Sequence, residues 1–275
     1  MIIKGDIEMS RKDENAKQAA TWLNMLNGNP TYSQAIIAAT KDTFVRDGQL
    51  ILDDEFDYLQ GKAKVGTYKD NIIISDKTTY DAAIELNNEV SNVCILNFAS
   101  YFKPGGGFIK GAYAQEESLC HVSGLYPILS SLDVYDKRAK NKSIPDEYRS
   151  EVIYSSCVPF TQEPGYLSMP VLFDVVSCAA PNCNRVPIAR MEAVESAIDE
   201  RLSACYLLPY LKGCDALVLG AWGCGVFKNN PIYIASTFQI LNQQYGSLYK
   251  KIVYALPNDK IRETFNSLMK SECAS

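Results

Sequence analysis

The sequence predicts an α/β fold, with helices layered against a largely parallel or mixed β-sheet. Three observations predict it. Four runs, VCILNFA (93–99), VLFDVVSCA (171–179), ALVLGAW (216–222) and KIVYAL (251–256), are hydrophobic almost without interruption, as strands are when both faces are covered. Helical patterns lie between or after these runs, the alternation expected of layered α/β folds. Glycine-rich loops follow the first and third runs, and ligands of such sheets bind beyond the carboxyl ends of the strands.

The elements follow in chain order. Ala, Leu and Met recur at helical spacing over residues 13–26 (DENAKQAATWLNML), and Gly28-Asn29-Pro30 stops that helix. Ser33 is placed to cap a second helix running to Thr43. The chain to residue 70 then has no regular pattern. NIIIS (71–75) reads as a strand and TTYDAAIELNNE (78–89) as a helix. Further helical patterns cover 115–129, 188–211 and 231–245, the last with Asn230 as cap and Pro231 in the first helical position. The polar segment 131–150 reads as a surface excursion. There is no internal repeat and no low-complexity tract.

With 275 residues, 47% apolar and 21% charged, the chain can bury the core of one large domain. A net charge of −5 disfavours a broad basic surface for duplex nucleic acid. It leaves room for a local anion site made of backbone N–H groups. The nine cysteines include no C-x-x-C pair, and the single histidine, His121, cannot complete a zinc finger. The cysteines are expected to be reduced and mostly buried as small hydrophobes. Residues 1–17 carry no apolar run of signal-peptide type, and no stretch approaches the roughly 18 apolar residues of a membrane span. A cytoplasmic protein without membrane contact is expected.

Two loops and one acidic pair are the places for chemistry. The first loop is Lys103-Pro104-Gly105-Gly106-Gly107-Phe108, and the second runs from Gly220 through Trp222, Gly223, Cys224, Gly225 and Val226 to Phe227. Small residues let backbone approach a phosphate closely, and a helix N-terminus beyond the second loop would add donors. Two tight turns without a ligand would look similar. Neither loop is a Walker A motif or a G-x-G-x-x-G fingerprint, which disfavours P-loop ATPases and dinucleotide dehydrogenases. Glu116 and Glu117 follow the first loop. Adjacent helical residues point about 100° apart, so they do not suit the layout of ordinary glycosidases, with carboxylates roughly 5–10 Å apart across the bond. One could touch the reacting centre while the other holds a neighbouring hydroxyl. An acidic first turn also simply complements the helix dipole. Cys120 beside His121 is no thiol-protease pair, because adjacent helical side chains diverge. Phe108 and Phe227 end the loops and could stack on a base or sugar, or plug the core. Trp222 is expected in the core.

NFAS (97–100), PGGG (104–107) and QEES (115–118) together resemble the signature of bacterial-type poly(ADP-ribose) glycohydrolases (PARG): a glycine triplet, a short spacer, then Gln-Glu-Glu. GAWGCGVFKNNP (220–231) resembles that family's diphosphate-binding loop, and SCAAPN (177–182) also fits. The similarity runs from about residue 69 to 257. Residues 1–68 resemble the family's N-terminal helical extension, leaving 69–275 as a catalytic core.

The resemblance implies a macrodomain fold, a three-layer α/β/α arrangement around a mixed sheet, with ADP-ribose in a cleft between the glycine loops. Glu117 matches the catalytic glutamate and Glu116 the partner that orients the ribose, in a motif opened by Gln115. Gly105, Gly106 and Gly107, with Phe108 beside them, would line the terminal ribose and phosphates. Gly223, Cys224, Gly225 and Val226 would hold the diphosphate, Phe227 would pack on ribose or adenine, and Asn97 would lie on the ribose side. The implied reaction is hydrolysis of the ribose–ribose O-glycosidic bond, with Glu117 first as acid and then as base, its pKa raised by burial. No metal or cofactor is expected. The implied partner is ADP-ribose or its polymer on modified proteins. Two alternatives stand beside this: an enzyme removing single ADP-ribosyl groups from protein or nucleic acid, and a module that binds ADP-ribose without cleaving it. The intact Gln115-Glu116-Glu117 argues against the second.

Overall fold

The computed structural model describes residues 10–47, 68–141, 145 and 150–270. The strands β1 (Phe44–Asp47), β2 (Ile72–Ser75), β3 (Val93–Phe98), β4 (Glu151–Phe160), β5 (Val171–Cys178), β6 (Ala216–Gly220) and β7 (Lys251–Ala255) form one sheet in the order β1-β4-β5-β3-β6-β7-β2. From β5 to β2 all neighbours run parallel, while β4 pairs antiparallel with both β5 and β1. The sheet is therefore mixed, as expected.

The unbroken hydrophobicity of β3 has a direct cause. Val93 and Ile95 enter one core, and Cys94 and Leu96 enter the other. Side chains alternate across a strand, so a strand with a core on each face needs no polar positions. Helices α1 (Arg11–Gly28), α2 (Pro30–Lys41), α3 (Thr79–Leu86), α4 (Gln115–Cys120), α5 (Leu125–Ser130) and α6 (Val134–Lys140) contribute to the first core. Helices α7 (Met191–Leu211), α8 (Pro231–Tyr245) and α9 (Asp259–Lys270) contribute to the second. This is the three-layer α/β/α arrangement.

Several sequence expectations need correction. Asn29, not Ser33, caps α2: its Oδ1 accepts from the N–H groups of Thr31 and Tyr32 at 3.0 and 3.2 Å, while the Ser33 hydroxyl reaches back to the Leu26 carbonyl. The single helix expected over 115–129 is two. Residues 122–124 leave the helix to pair with the end of β4, through Thr161 N–H to Val122 O and Gly124 N–H to Pro159 O. Pro127 is tolerated because it lies in the first turn of α5. The excursion 131–150 contains α6, which buries Val134, Tyr135 and Arg138. Residues 142–144 and 146–149 of that excursion lie outside the described residues, as do 1–9 and 48–67 of the expected extension. The strands β1 and β4 and the helix α9 were not foreseen. In β4, Pro159 hides the pattern, but β1 pairs only with residues 151–154 of that strand. Beyond β1 that edge meets residues 122–124, where Pro159 O accepts from Gly124 N–H while the Gly124 carbonyl takes Ile128 N–H, so the missing N–H leaves no acceptor unpaired.

The helices before β1 brace the functional end of the sheet. Trp22 Nε1 donates to the Ser123 carbonyl at 3.0 Å, and Asn15 Nδ2 donates to the Gly111 carbonyl at 3.2 Å. Gly111 has φ +76°, and a Cβ there would lie 1.8 Å from the Lys12 carbonyl oxygen. Only glycine lets α1 lie this close to the turn. Gly111→Ala should therefore destabilise the fold by ~2 kcal/mol or more, read as a lowered midpoint in thermal or urea unfolding.

Candidate active site

The carboxyl ends of β3, β6 and β7 open onto a cavity of about 720 Å³, within the usual size range for ligand pockets. One wall comes from the loop after β3. Gly105 and Gly106 have φ +62° and +60°, a region where side chains are strained. Each glycine of the triplet has its own reason to lack a side chain. A Cβ on Gly105 would lie 2.7 Å from Cδ2 of Tyr126, and one on Gly107 would lie 2.6 Å from Ala112 Cβ. A Cβ on Gly106 would lie 2.4 Å from Glu117 Oε1 and 2.9 Å from Glu116 Oε2.

Both acids thus press on one glycine, although their backbones point about 100° apart on α4. Glu116 is 3% exposed and Glu117 7%. Glu117 is held by two backbone donors, Gly107 N–H to Oε1 at 2.8 Å and Ala114 N–H to Oε2 at 3.0 Å. Glu116 Oε2 accepts from Ser100 N–H at 2.8 Å, and Oε1 accepts a longer bond from Asn97 Nδ2 at 3.4 Å. Burial is the main force that pushes the Glu116 carboxyl up, to about 8, and the charge of Glu117 adds to it. The N–H of Ser100 and the amide of Asn97 pull the other way.

The second wall is the loop after β6. Trp222 is fully buried, as expected, and its Nε1 donates to the Cys178 carbonyl at 2.8 Å. Asn229 ties the loop together, donating to the carbonyls of Pro181 and Gly223 at 2.9 and 3.1 Å. Gly223, Gly225, Val226 and Phe227 line the cavity. A Cβ on Gly225 would meet nothing within 4 Å, so the backbone there is open to a ligand. Among the described residues, the N–H groups of Gly225, Val226 and Phe227 donate to no protein acceptor. Successive N–H groups without a protein acceptor are what an anion nest requires. The start of α8 does not line the cavity, and Asn230 Oδ1 already caps Ile232 N–H at 2.9 Å. The donors on this wall are therefore loop amides.

The other sequence candidates are placed as follows. Gly106 and Gly107 line the cavity and Gly105 lies beneath it. Gln115 reaches the cavity wall, but its amide serves the fold: Oε1 accepts from Phe98 N–H at 2.8 Å and Nε2 donates to the Leu96 carbonyl at 2.8 Å. Asn97 is fully buried behind Glu116, with Nδ2 also 3.0 Å from Ser177 Oγ and Oδ1 without a partner. Phe108 plugs the core against His121 and Tyr126, at ring-centroid distances of 4.7 and 5.1 Å. Cys224 does not line the cavity, and burial pushes its thiol up to about 12. The sequence reading missed the wall made by Thr78, Thr79 and Tyr80 at the start of α3, and that made by residues 255–258 after β7. The rule that pointed to the two glycine loops, a loop beyond a buried strand, also applies to β7. Among the described residues, no group of three or more His, Cys, Asp or Glu could hold a metal. No helix among them is long and apolar enough to cross a membrane.

Comparison with known proteins gives this site its family. Residues 13–163 match the family model for the microbial-type PARG catalytic domain. The chain belongs to that family and is a glycosidase of the poly(ADP-ribose) glycohydrolase type. Solved structures agree. The poly(ADP-ribose) glycohydrolase of Thermomonospora curvata is 27% identical, with a TM-score of 0.82 over 93% of this chain and 99% of that one. The same enzyme bound to the inhibitor ADP-HPD matches at 26% identity and a TM-score of 0.79, with the same coverage. The enzyme of Deinococcus radiodurans in complex with ADP-ribose is 29% identical, with a TM-score of 0.76 over 86% of this chain and 98% of that one. A comparison with curated proteins finds no match.

Two outcomes follow from this geometry. Gly106→Ala should reduce turnover at least about a hundredfold, because it displaces both carboxyls from their backbone donors; circular dichroism should still show a folded protein. Glu116 ionises near 4.5 in the unfolded chain but near 8 in the fold. Between those values the folded state binds more protons, so this group lowers stability progressively as pH rises. Glu116→Gln should raise the melting temperature, with a gain that grows from pH 5 to pH 8 and reaches on the order of a few kcal/mol. A gain that does not change with pH would contradict the raised value.

Proposed function

We propose that this chain removes ADP-ribose from poly(ADP-ribose) by hydrolysing the ribose–ribose O-glycosidic bond, using Glu117 as acid and base. The observation that carries this reading is the pair of adjacent, buried glutamates pressed on Gly106 at one wall of a cavity whose other wall is an anion nest. The terminal unit enters with its diphosphate against the free N–H groups of 225–227 and its terminal ribose over Gly106. Phe227 packs on ribose or adenine. Lys103, exposed at the cavity, adds positive charge near the phosphates.

Glu117 in its protonated form, held by the Gly107 and Ala114 N–H groups, delivers its proton to the leaving ribose oxygen as the bond to the anomeric carbon breaks. The anomeric carbon gains positive charge in the transition state, which the bound diphosphate offsets. Water then attacks that carbon and gives a proton back to the glutamate, which restores the starting state. The net reaction adds one water across one bond. Glu116 holds a ribose hydroxyl, and Asn97 and Ser100 hold Glu116. Residues 1–68 act as an extension to the core at 69–275, with α1 bracing the turn at Gly111. The substrate is the polymer on modified proteins. The eight described cysteines, none in a disulfide, support a reducing compartment such as the cytoplasm.

Glu117→Gln tests the assignment. It should keep ADP-ribose affinity within about threefold and lose turnover on automodified polymer by roughly 10²–10⁴-fold, read as free ADP-ribose released. Persistent turnover would remove Glu117 from the mechanism. Wild type that binds ADP-ribose without cleaving polymer would make the chain a binding module.

A further inference from the structure

The catalytic acid donates to the leaving oxygen, so the leaving group lies on the acid's side. In the polymer that leaving group is a ribose hydroxyl of the next adenosine unit. A purine base must therefore pass close to the residues that hold Glu117. Among the described residues, the exposed aromatic nearest to Glu117 in the chain is Tyr113, which is 63% exposed. It immediately precedes Ala114, whose N–H holds Glu117 Oε2 at 3.0 Å, and it lies outside the cavity lining.

The Tyr113 ring is braced from below. It packs on His121 with ring centroids 5.8 Å apart, and His121 packs on the fully buried Phe108 at 4.7 Å. A ring held in this way loses little freedom when a base stacks on it. The backbone beside it is equally constrained, since Gly111 lies against the Lys12 carbonyl. Lys12 and Lys110 are both exposed around the same turn, where they would face the phosphates of a polyanion. The other acceptor for such a ring, an apolar partner protein, would not be drawn to two lysines.

We propose that Tyr113 is the stacking platform for the adenine of the leaving unit, a subsite outside the ADP-ribose cavity that favours polymer over a singly attached ADP-ribosyl group. This rests on the glycohydrolase reading above. Released ADP-ribose has no leaving unit, so its binding does not involve Tyr113.

Tyr113→Ala and Tyr113→Phe separate the two readings. With purified polymer, Tyr113→Ala should raise KM about tenfold, the loss expected for one base–aromatic stack. It should leave kcat within about twofold, in line with a contact made equally in ground and transition states. Tyr113→Phe should behave as wild type. Both variants should bind free ADP-ribose as wild type does, by calorimetry, and should melt at the wild-type temperature. An unchanged polymer KM in Tyr113→Ala, with turnover intact, would overturn the subsite and leave the glycohydrolase reading standing. A loss of ADP-ribose affinity in Tyr113→Ala would also overturn it, because the ring would then serve the bound product. Wild type that neither binds ADP-ribose nor cleaves polymer would overturn the parent reading, and the subsite with it.

Discussion

Two neighbouring carboxyl groups pressed against the face of one glycine set the terms for the rest of this structure. Glu116 and Glu117 are nearly buried, and the groups that satisfy them are mostly backbone: Gly107, Ala114 and Ser100 N–H. Backbone donors do not move when a substrate arrives, so the polar environment is organised before binding. That requires the chain around Gly106 to hold a positive φ and to lie within contact of both acids. Neither condition is favourable locally. The surrounding packing has to impose them.

That packing comes from far along the chain. Phe108 anchors the end of the glycine turn in the core between His121 and Tyr126. Gln115 ties α4 to β3 by bonding to the backbone of Phe98 and Leu96. The long N-terminal helix lies on Gly111, and its Trp22 holds the carbonyl of Ser123 just beyond α4. The turn before the acids and the turn after them are thus both fixed by a segment about a hundred residues earlier in sequence. This ties the integrity of the acid pair to α1.

The charge of the site is arranged just as locally. The chain is acidic overall, yet it presents an anion nest. The nest needs no cationic side chain, because the free N–H groups of 225–227 supply partial positive charge directly. Asn229 and the backbone bond from Cys183 N–H to Phe227 O hold that loop in shape. The 225–227 loop and the glutamate pair line different parts of one cavity. The Oδ1 of Asn97, buried behind Glu116, has no hydrogen-bond partner.

Much of this was legible in the residues, and the exceptions share a cause. The parallel strands could be read because a strand covered on both faces is apolar throughout, and both glycine loops could be read because they follow such strands. The helix cap at Asn230 was readable because its bond spans two residues. By contrast, β1 and β4 exist through their pairing with each other and with β5, and a break in the helix over 115–129 arises from bonds to β4. Local pattern contains neither. The same division runs through the site. That 116 and 117 were acids beside a glycine triplet was written in the chain. That both would reach one glycine, that Phe108 would turn inward while Phe227 stayed at the cavity, and that Glu116 would be the carboxyl raised toward 8 depended on burial and on partners distant in sequence. Covalent order determines which groups neighbour one another along the backbone; only the folded packing determines which of them lose water, and desolvation decides their chemistry.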